Sequence, residues 1–189
     1  MPRPALPLVT ERLSLRQVGV EDAAAIQSYR SLAEVHRFMY HAELSVDEWR
    51  ERIAATWANL DLERDDDALA LGIVEQSTGS IVGDVVLFLR SAEHRAGELG
   101  YALRPSAQGR GYAVEAARAM LGFAFEQVGM HRVYGRIDAR NAASARVLER
   151  LGMRREAHFV SNEFIKGEWT DEMVYALLED EWRATRSAG

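Results

Sequence analysis

The chain has 189 residues, 48% of them hydrophobic and 28% charged, with a formal net charge of −6 at pH 7. That length and apolar content suit one compact domain over residues 1–189, and the acidic balance disfavours nonspecific binding to nucleic acid or an anionic membrane. No cysteine is present, which removes disulfides, thiolate metal sites and cysteine nucleophiles together.

The opening MPRPALPLVT has no apolar signal core, and no apolar run approaches the ~20 residues that span a bilayer. The expectation is a cytoplasmic protein with no membrane partner. RLSLRQ at 12–17 alternates polar and apolar residues and predicts a first strand. A helix is expected over 21–33, with Ile26 and Tyr29 on one face. A second starts near Val46, with Trp49, Ile53, Trp57 and Leu60 at helical spacing. ALGIVEQ and SIVGDVVLFLR, separated by a turn at 77–79, predict a hairpin. GELGYALRP at 97–105 is a further strand, stopped by Pro105.

A helix follows with Val114, Ala117, Leu121, Phe125 and Val128 along its apolar face. HRVYGRIDA at 131–139 then predicts a strand, and NAASARVLERLG at 141–152 a helix, with Asn141 placed to cap it and Gly152 to end it. Two last strands, 154–165 and 169–178, meet at a turn around Gly167. The order β, two helices, three strands, helix, strand, helix, two strands implies an α/β fold. Its sheet is expected to be mixed, mostly antiparallel and flanked by helices.

The stretch RPSAQGRGYAVEA at 104–116 sets two glycines and two arginines before a helix. It lacks the lysine and Ser/Thr of a Walker A loop, and Val114 stands where a dinucleotide fingerprint would place its third glycine. What remains is the physics such loops share. Successive amides at a helix N-terminus cradle an anion, Gly109 and Gly111 allow close approach, and Arg110 adds a mobile cation. A plain turn before a helix is the competing reading. The histidines, His36, His41, His94, His131 and His158, show no metal-ligand spacing, so no metal is expected.

Gln108-x-x-Gly111-x-Ala113, after a strand and opening a helix, resembles the acyl-CoA signature of the GNAT acetyltransferase superfamily. The likeness extends along nearly the whole chain. TERLSLRQVGVEDA, ELGYALRPSAQGRGYAVEA, RNAASARVLERLGMRREA and GEWTDEMVYALLEDEW are similar, in order, to segments of its RimJ/RimL-like branch, the ribosomal-protein-alanine N-acetyltransferases.

The resemblance implies a GNAT-like sheet whose strands splay apart to form an acyl-CoA cleft, and acetyl-CoA as cosubstrate. It places the backbones of Tyr101 and Leu103 along the pantetheine arm, and the pyrophosphate on the amides of Gln108, Gly109, Arg110, Gly111, Tyr112 and Ala113. Tyr112 is either a packing residue or a cofactor contact. Glu115, in the first helical turn, is sufficiently explained by the helix dipole.

Transfer to an amine requires a proton to leave the nucleophile, a donor for the oxyanion, and help for the departing thiolate. Without cysteine the familiar acyl-enzyme route is closed, and direct attack in a ternary complex is the natural mechanism. Asn141 and Ser144 match the family's Asn-x-x-Ser: Ser144 as the acid near sulfur, Asn141 as helix cap, cofactor-orienting residue or both. Glu163 resembles the glutamate that RimL-like enzymes place as base, and Glu98 is the alternative. Phe38, Tyr40 and Trp169 are candidates to line the acceptor pocket, or equally to be core. The acceptor implied is a peptide N-terminus or a small amine such as a polyamine or an antibiotic, and a homodimer is compatible with the resemblance. A non-catalytic acyl-CoA-binding module of the same fold is the alternative function.

Overall fold

A computed structural model describes residues 4–57 and 60–187. Its strands are β1 (Leu8–Val9), β2 (Leu13–Gln17), β3 (Ala68–Glu75), β4 (Ser80–Ser91), β5 (Ala96–Leu103), β6 (Arg132–Asp138), β7 (Arg154–Ile165) and β8 (Glu168–Leu178). They form one sheet in the order β1-β2-β3-β4-β5-β6-β8-β7, antiparallel throughout except for β5 beside β6. The helices are α1 (Ala23–Arg30), α2 (Ala33–His36), α3 (Val46–Arg52), α4 (Tyr112–Gly122), α5 (Ala142–Arg150) and α6 (Glu179–Ser187).

Each sheet face carries its own core, which is why the central strands read as almost continuous apolar runs. Leu69, Leu71, Val85, Leu87, Leu99 and Leu103 point to the α4–α5 side, where Ala117, Met120, Leu121 and Leu148 pack on them. Ala70, Val86 and Ala102 face the other way, onto Ile26, Tyr29, Trp49 and Ile53 of the α1–α3 side. Successive strand residues alternate between these two layers.

Three features differ from the sequence expectation. The first expected helix breaks at Ser31 and Leu32, leaving α1 and a single turn, α2. The second is α-helical only to Arg52 and widens into a π turn over Ile53–Trp57; of the rest of that expected helix, residues 58 and 59 lie outside the described residues. After the last expected strand, which ends at Leu178 as expected, a further helix, α6, follows that the sequence reading did not include. Glu179, Asp180 and Glu181 fill its first turn, where acids suit the helix dipole, and Trp182 stacks on Phe125 at 5.8 Å.

α1 is tied to the sheet by a buried ion pair. The Arg30 guanidinium donates to both Asp84 oxygens, at 2.9 and 2.5 Å, and the Tyr29 hydroxyl donates to the same carboxylate at 2.5 Å. Asp84 is fully buried. Removing one partner of such a pair costs about 3–5 kcal/mol, because the other charge is left buried alone.

Candidate active site

β5 and β6 are paired only at Ala96–Arg132, Gly97–Val133 and Glu98–Tyr134. Beyond that the strands part, although β5 continues to Leu103 and β6 to Asp138. Leu148 of α5 sits over Gly135, where a Cβ would come within 3.0 Å of its side chain. The gap opens into a cleft of about 1020 Å³ lined by Leu99 to Leu103, Gly135 to Asp138, the loop before α4, the inner face of α5 and the α2 segment.

At the loop, Gly109 (φ +73°) and Gly111 (φ +82°) adopt the left-handed conformation that favours glycine. Gln108 fixes the loop to the strand end by donating from its side chain to the Leu103 carbonyl at 3.2 Å. The first helical bond runs from the Glu115 amide to the Gly111 carbonyl; among the described residues, the amides from Gly109 to Val114 make no backbone hydrogen bond. Gln108, Gly109, Gly111, Tyr112 and Ala113 all line the cleft. The Gln108 amide, expected to share in the cradle, is instead taken by the Pro105 carbonyl at 3.0 Å, the turn that leads into the loop. The free donors from Gly109 to Ala113 at the helix N-terminus, with no side chain on either glycine, fit a pyrophosphate.

Arg110 is placed differently from the mobile cation expected. Its guanidinium is paired with Glu75 at 2.6 Å and lies over the Tyr112 ring. Tyr112 is buried and donates to Glu75 at 2.6 Å, so it packs and braces the loop while also lining the cleft. Glu115 clamps the other side of the turn, pairing with Arg12 at 2.6 Å and accepting from Thr10 at 2.6 Å.

On the α5 side, Asn141 Oδ1 accepts the Ser144 amide at 3.1 Å, which makes it a true cap. The Tyr101 hydroxyl lies 2.8 Å from Ser144 Oγ, where either oxygen can be the donor, and 3.2 Å from the Ser144 carbonyl, which can only accept. This side-chain contact was missed from sequence; only the alternation of β5, which sends Leu99, Tyr101 and Leu103 to the α5 side, signals it. Burial pushes the Tyr101 phenol well above its ordinary range, opposed by the bond to Ser144.

The carboxylates occupy the opposite face. Glu98 pairs in register with Tyr134, and Asp138 with Glu172. Along β7, three residues (160–162) face only Asp171 between the Phe159–Glu172 and Glu163–Thr170 pairs, so the bulge adds an even number of residues and returns Glu163 to the Glu172 face. Asp171 pins the bulge by accepting the Ser161 amide at 2.9 Å.

Arg136, also missed from sequence, binds both glutamates: it is ion-paired with Glu163 and contacts Glu172 at 2.5 Å. Glu98 is held by Arg90 at 2.8 Å. Both candidate bases line the cleft. Glu163 is thus set in an ion pair with Arg136. Phe38 and Tyr40 line the cleft, whereas Trp169 packs against Phe164 at 5.3 Å and is 64% exposed.

Residues 12–154 match the Acetyltransferase (GNAT) domain. The chain belongs to the GNAT acetyltransferase family. It is 29% identical over 175 residues to the Uncharacterized N-acetyltransferase YnaD of Bacillus subtilis (strain 168), covering 93% of this chain and 98% of that protein. It is 28% identical over 193 residues to the [Ribosomal protein uS5]-alanine N-acetyltransferase of Escherichia coli (strain K12), covering 97% and 96%. The crystal structure of a GNAT-family acetyltransferase from Bacillus anthracis superposes with a TM-score of 0.81 at 29% identity, over 92% of this chain and 98% of that one. Together these make the protein an acetyltransferase of the RimJ/RimL-like branch, on the GNAT fold with its single, mostly antiparallel sheet.

Proposed function

We propose that this protein moves an acetyl group from acetyl-CoA to a primary amine by direct attack in a ternary complex. The observation that carries this is the parting of β5 and β6 beside a helix N-terminus whose amides are free. A strand edge without its partner suits an extended amide-bearing arm, and the amides suit the pyrophosphate. Tyr101, Leu103 and the segment from Gln108 to Ala113 hold the cosubstrate, with Arg110 contributing its amide while its side chain braces Glu75.

Acetyl-CoA supplies an activated thioester. Around it the chain sets a carboxylate on one side of the sheet and a hydroxyl on the other. Glu163 receives the proton of the amine, directly or through a water, with Glu98 as the alternative on the same face. Ser144 faces the leaving sulfur, and Asn141 sets the position of Ser144 by capping its helix. The acceptor is a peptide N-terminus, favoured by the likeness to the uS5-alanine enzyme, with small amines as the second class.

The test is a screen of alanine-starting peptides and polyamines that reads release of the coenzyme A thiol. Acetylation of either class supports the reading. Binding of acetyl-CoA without any transfer would favour a non-catalytic acyl-CoA-binding module instead.

A further inference from the structure

Tyr101 stands apart from the other tyrosines that line the cleft. Its ring is packed between the strand edge and α5, and its hydroxyl has both its contacts on one residue, Ser144. A buried phenol needs a polar partner, and taking a cleft-lining serine for it has a consequence for that serine: a hydroxyl that accepts one hydrogen bond has a fixed rotamer and a proton free to point elsewhere.

We infer that Tyr101 is the positioning residue for Ser144: its one phenol proton goes to Ser144 Oγ, the nearer oxygen at 2.8 Å, and not to the Ser144 carbonyl at 3.2 Å, so that the serine hydroxyl is held with its proton directed into the cleft at the leaving sulfur. This rests on the acetyl-transfer reading above. Burial keeps Tyr101 in its protonated, donating form throughout the working range.

The same chemistry decides what the pair does at the sulfur. A thiol titrates near ~8.5, so a serine hydroxyl and a phenol held above ~10 are too weakly acidic to surrender a proton to a thiolate. In the transfer, the carbon–nitrogen bond forms and the carbon–sulfur bond breaks. The electron pair leaves on sulfur, and the proton of the amine goes to the carboxylate face. Ser144 then stabilises the thiolate as a charge-assisted hydrogen-bond donor, with Tyr101 strengthening it from behind, and the thiolate takes its proton afterwards from solvent.

Titration of the bound coenzyme A thiol, followed by the ultraviolet absorbance of its thiolate, tests this without any acceptor. A hydrogen bond to a charged group is worth enough to lower the bound thiol pKa by about one unit, a ~tenfold change. The full chain should show that lowering relative to free coenzyme A. Tyr101→Phe and Ser144→Ala should each lose most of it, and the double variant should be no worse than Ser144→Ala alone. Tyr101→Phe keeps the ring and the strand backbone, so its thermal stability should remain close to wild type.

An unchanged or lower thiol pKa in Tyr101→Phe, in a protein that still transfers acetyl groups, overturns the inference and leaves the proposed function standing. Failure of the unaltered chain to bind coenzyme A at all would overturn both.

Discussion

Arg136 and Glu163 form an ion pair across the β6–β7 side of the cleft, with Glu172 gripping the same guanidinium from beneath at 2.5 Å. The pair fixes the Glu163 carboxylate on the face from which an amine would approach. Glu98 shares that face but is held by Arg90 near the point where β5 and β6 are still joined. Glu163→Gln keeps the shape and removes the basicity. It should lower kcat by about 100-fold or more, within the range of general base catalysis, while acetyl-CoA affinity stays unchanged. Glu98→Gln should cost much less; steady-state kinetics on both variants would show the reverse order if Glu98 is the base.

The cradle is best tested at Gly109. A Cβ built there meets no protein atom within 4 Å, yet the residue lines the cleft. Gly109→Ala therefore carries only the strain of a left-handed backbone, about 1–2 kcal/mol, and places a methyl group where the pyrophosphate approaches. Calorimetry should show acetyl-CoA affinity weakened by about tenfold or more, a loss of ~1.4 kcal/mol or more, with the fold intact. Unaltered affinity would reduce the loop to a turn.

Asn141 links stability to placement of Ser144. Loss of its cap in Asn141→Ala should cost about 0.5–2 kcal/mol in denaturant unfolding. Asn141→Asp, which can still accept the Ser144 amide, should recover most of that stability. A stability loss shared equally by both variants would mean that the cap is not what holds α5.

Asp138, on β6 just before α5, predicts an acid-sensitive site. Its carboxyl is held below the usual range by the bonds from Arg140, side chain and then amide, against the opposing effect of burial. A carboxyl lowered on folding binds its proton more readily in the unfolded chain. Its stabilisation is therefore complete above an unfolded value of about 3.9, and is lost as pH falls through the folded one. Thermal midpoints at pH 7 and pH 3 should differ less in Asp138→Asn than in the unaltered chain.

The layout of strands and long helices was legible because burial alone writes it. The alternation in RLSLRQ, the turn at 77–79 and the Asn141–Gly152 bracket each report a local rule that the fold obeys. Features were missed where local rules compete or where partners lie far apart in sequence. EDEWRATRS follows a strand without a break, so only its acidic first turn marks α6. Arg110 shows the same limit at the site: its place in a basic elbow suggested a ligand contact, but Glu75, 35 residues earlier, claims it. The pairings Arg136–Glu163, Arg30–Asp84 and Tyr101–Ser144 join residues 27, 54 and 43 positions apart. No local pattern records them.

A crystal structure with coenzyme A decides whether the gap between β5 and β6 is the acyl-CoA site. The pantetheine arm is expected between Leu99–Leu103 and Gly135–Asp138, the pyrophosphate on the amides from Gly109 to Ala113, and the sulfur beside Ser144 Oγ. Coenzyme A bound elsewhere, for instance in the shallow groove between α4 and α6 lined by Arg118, Ala119 and Trp182, with the strand gap empty, would contradict that placement.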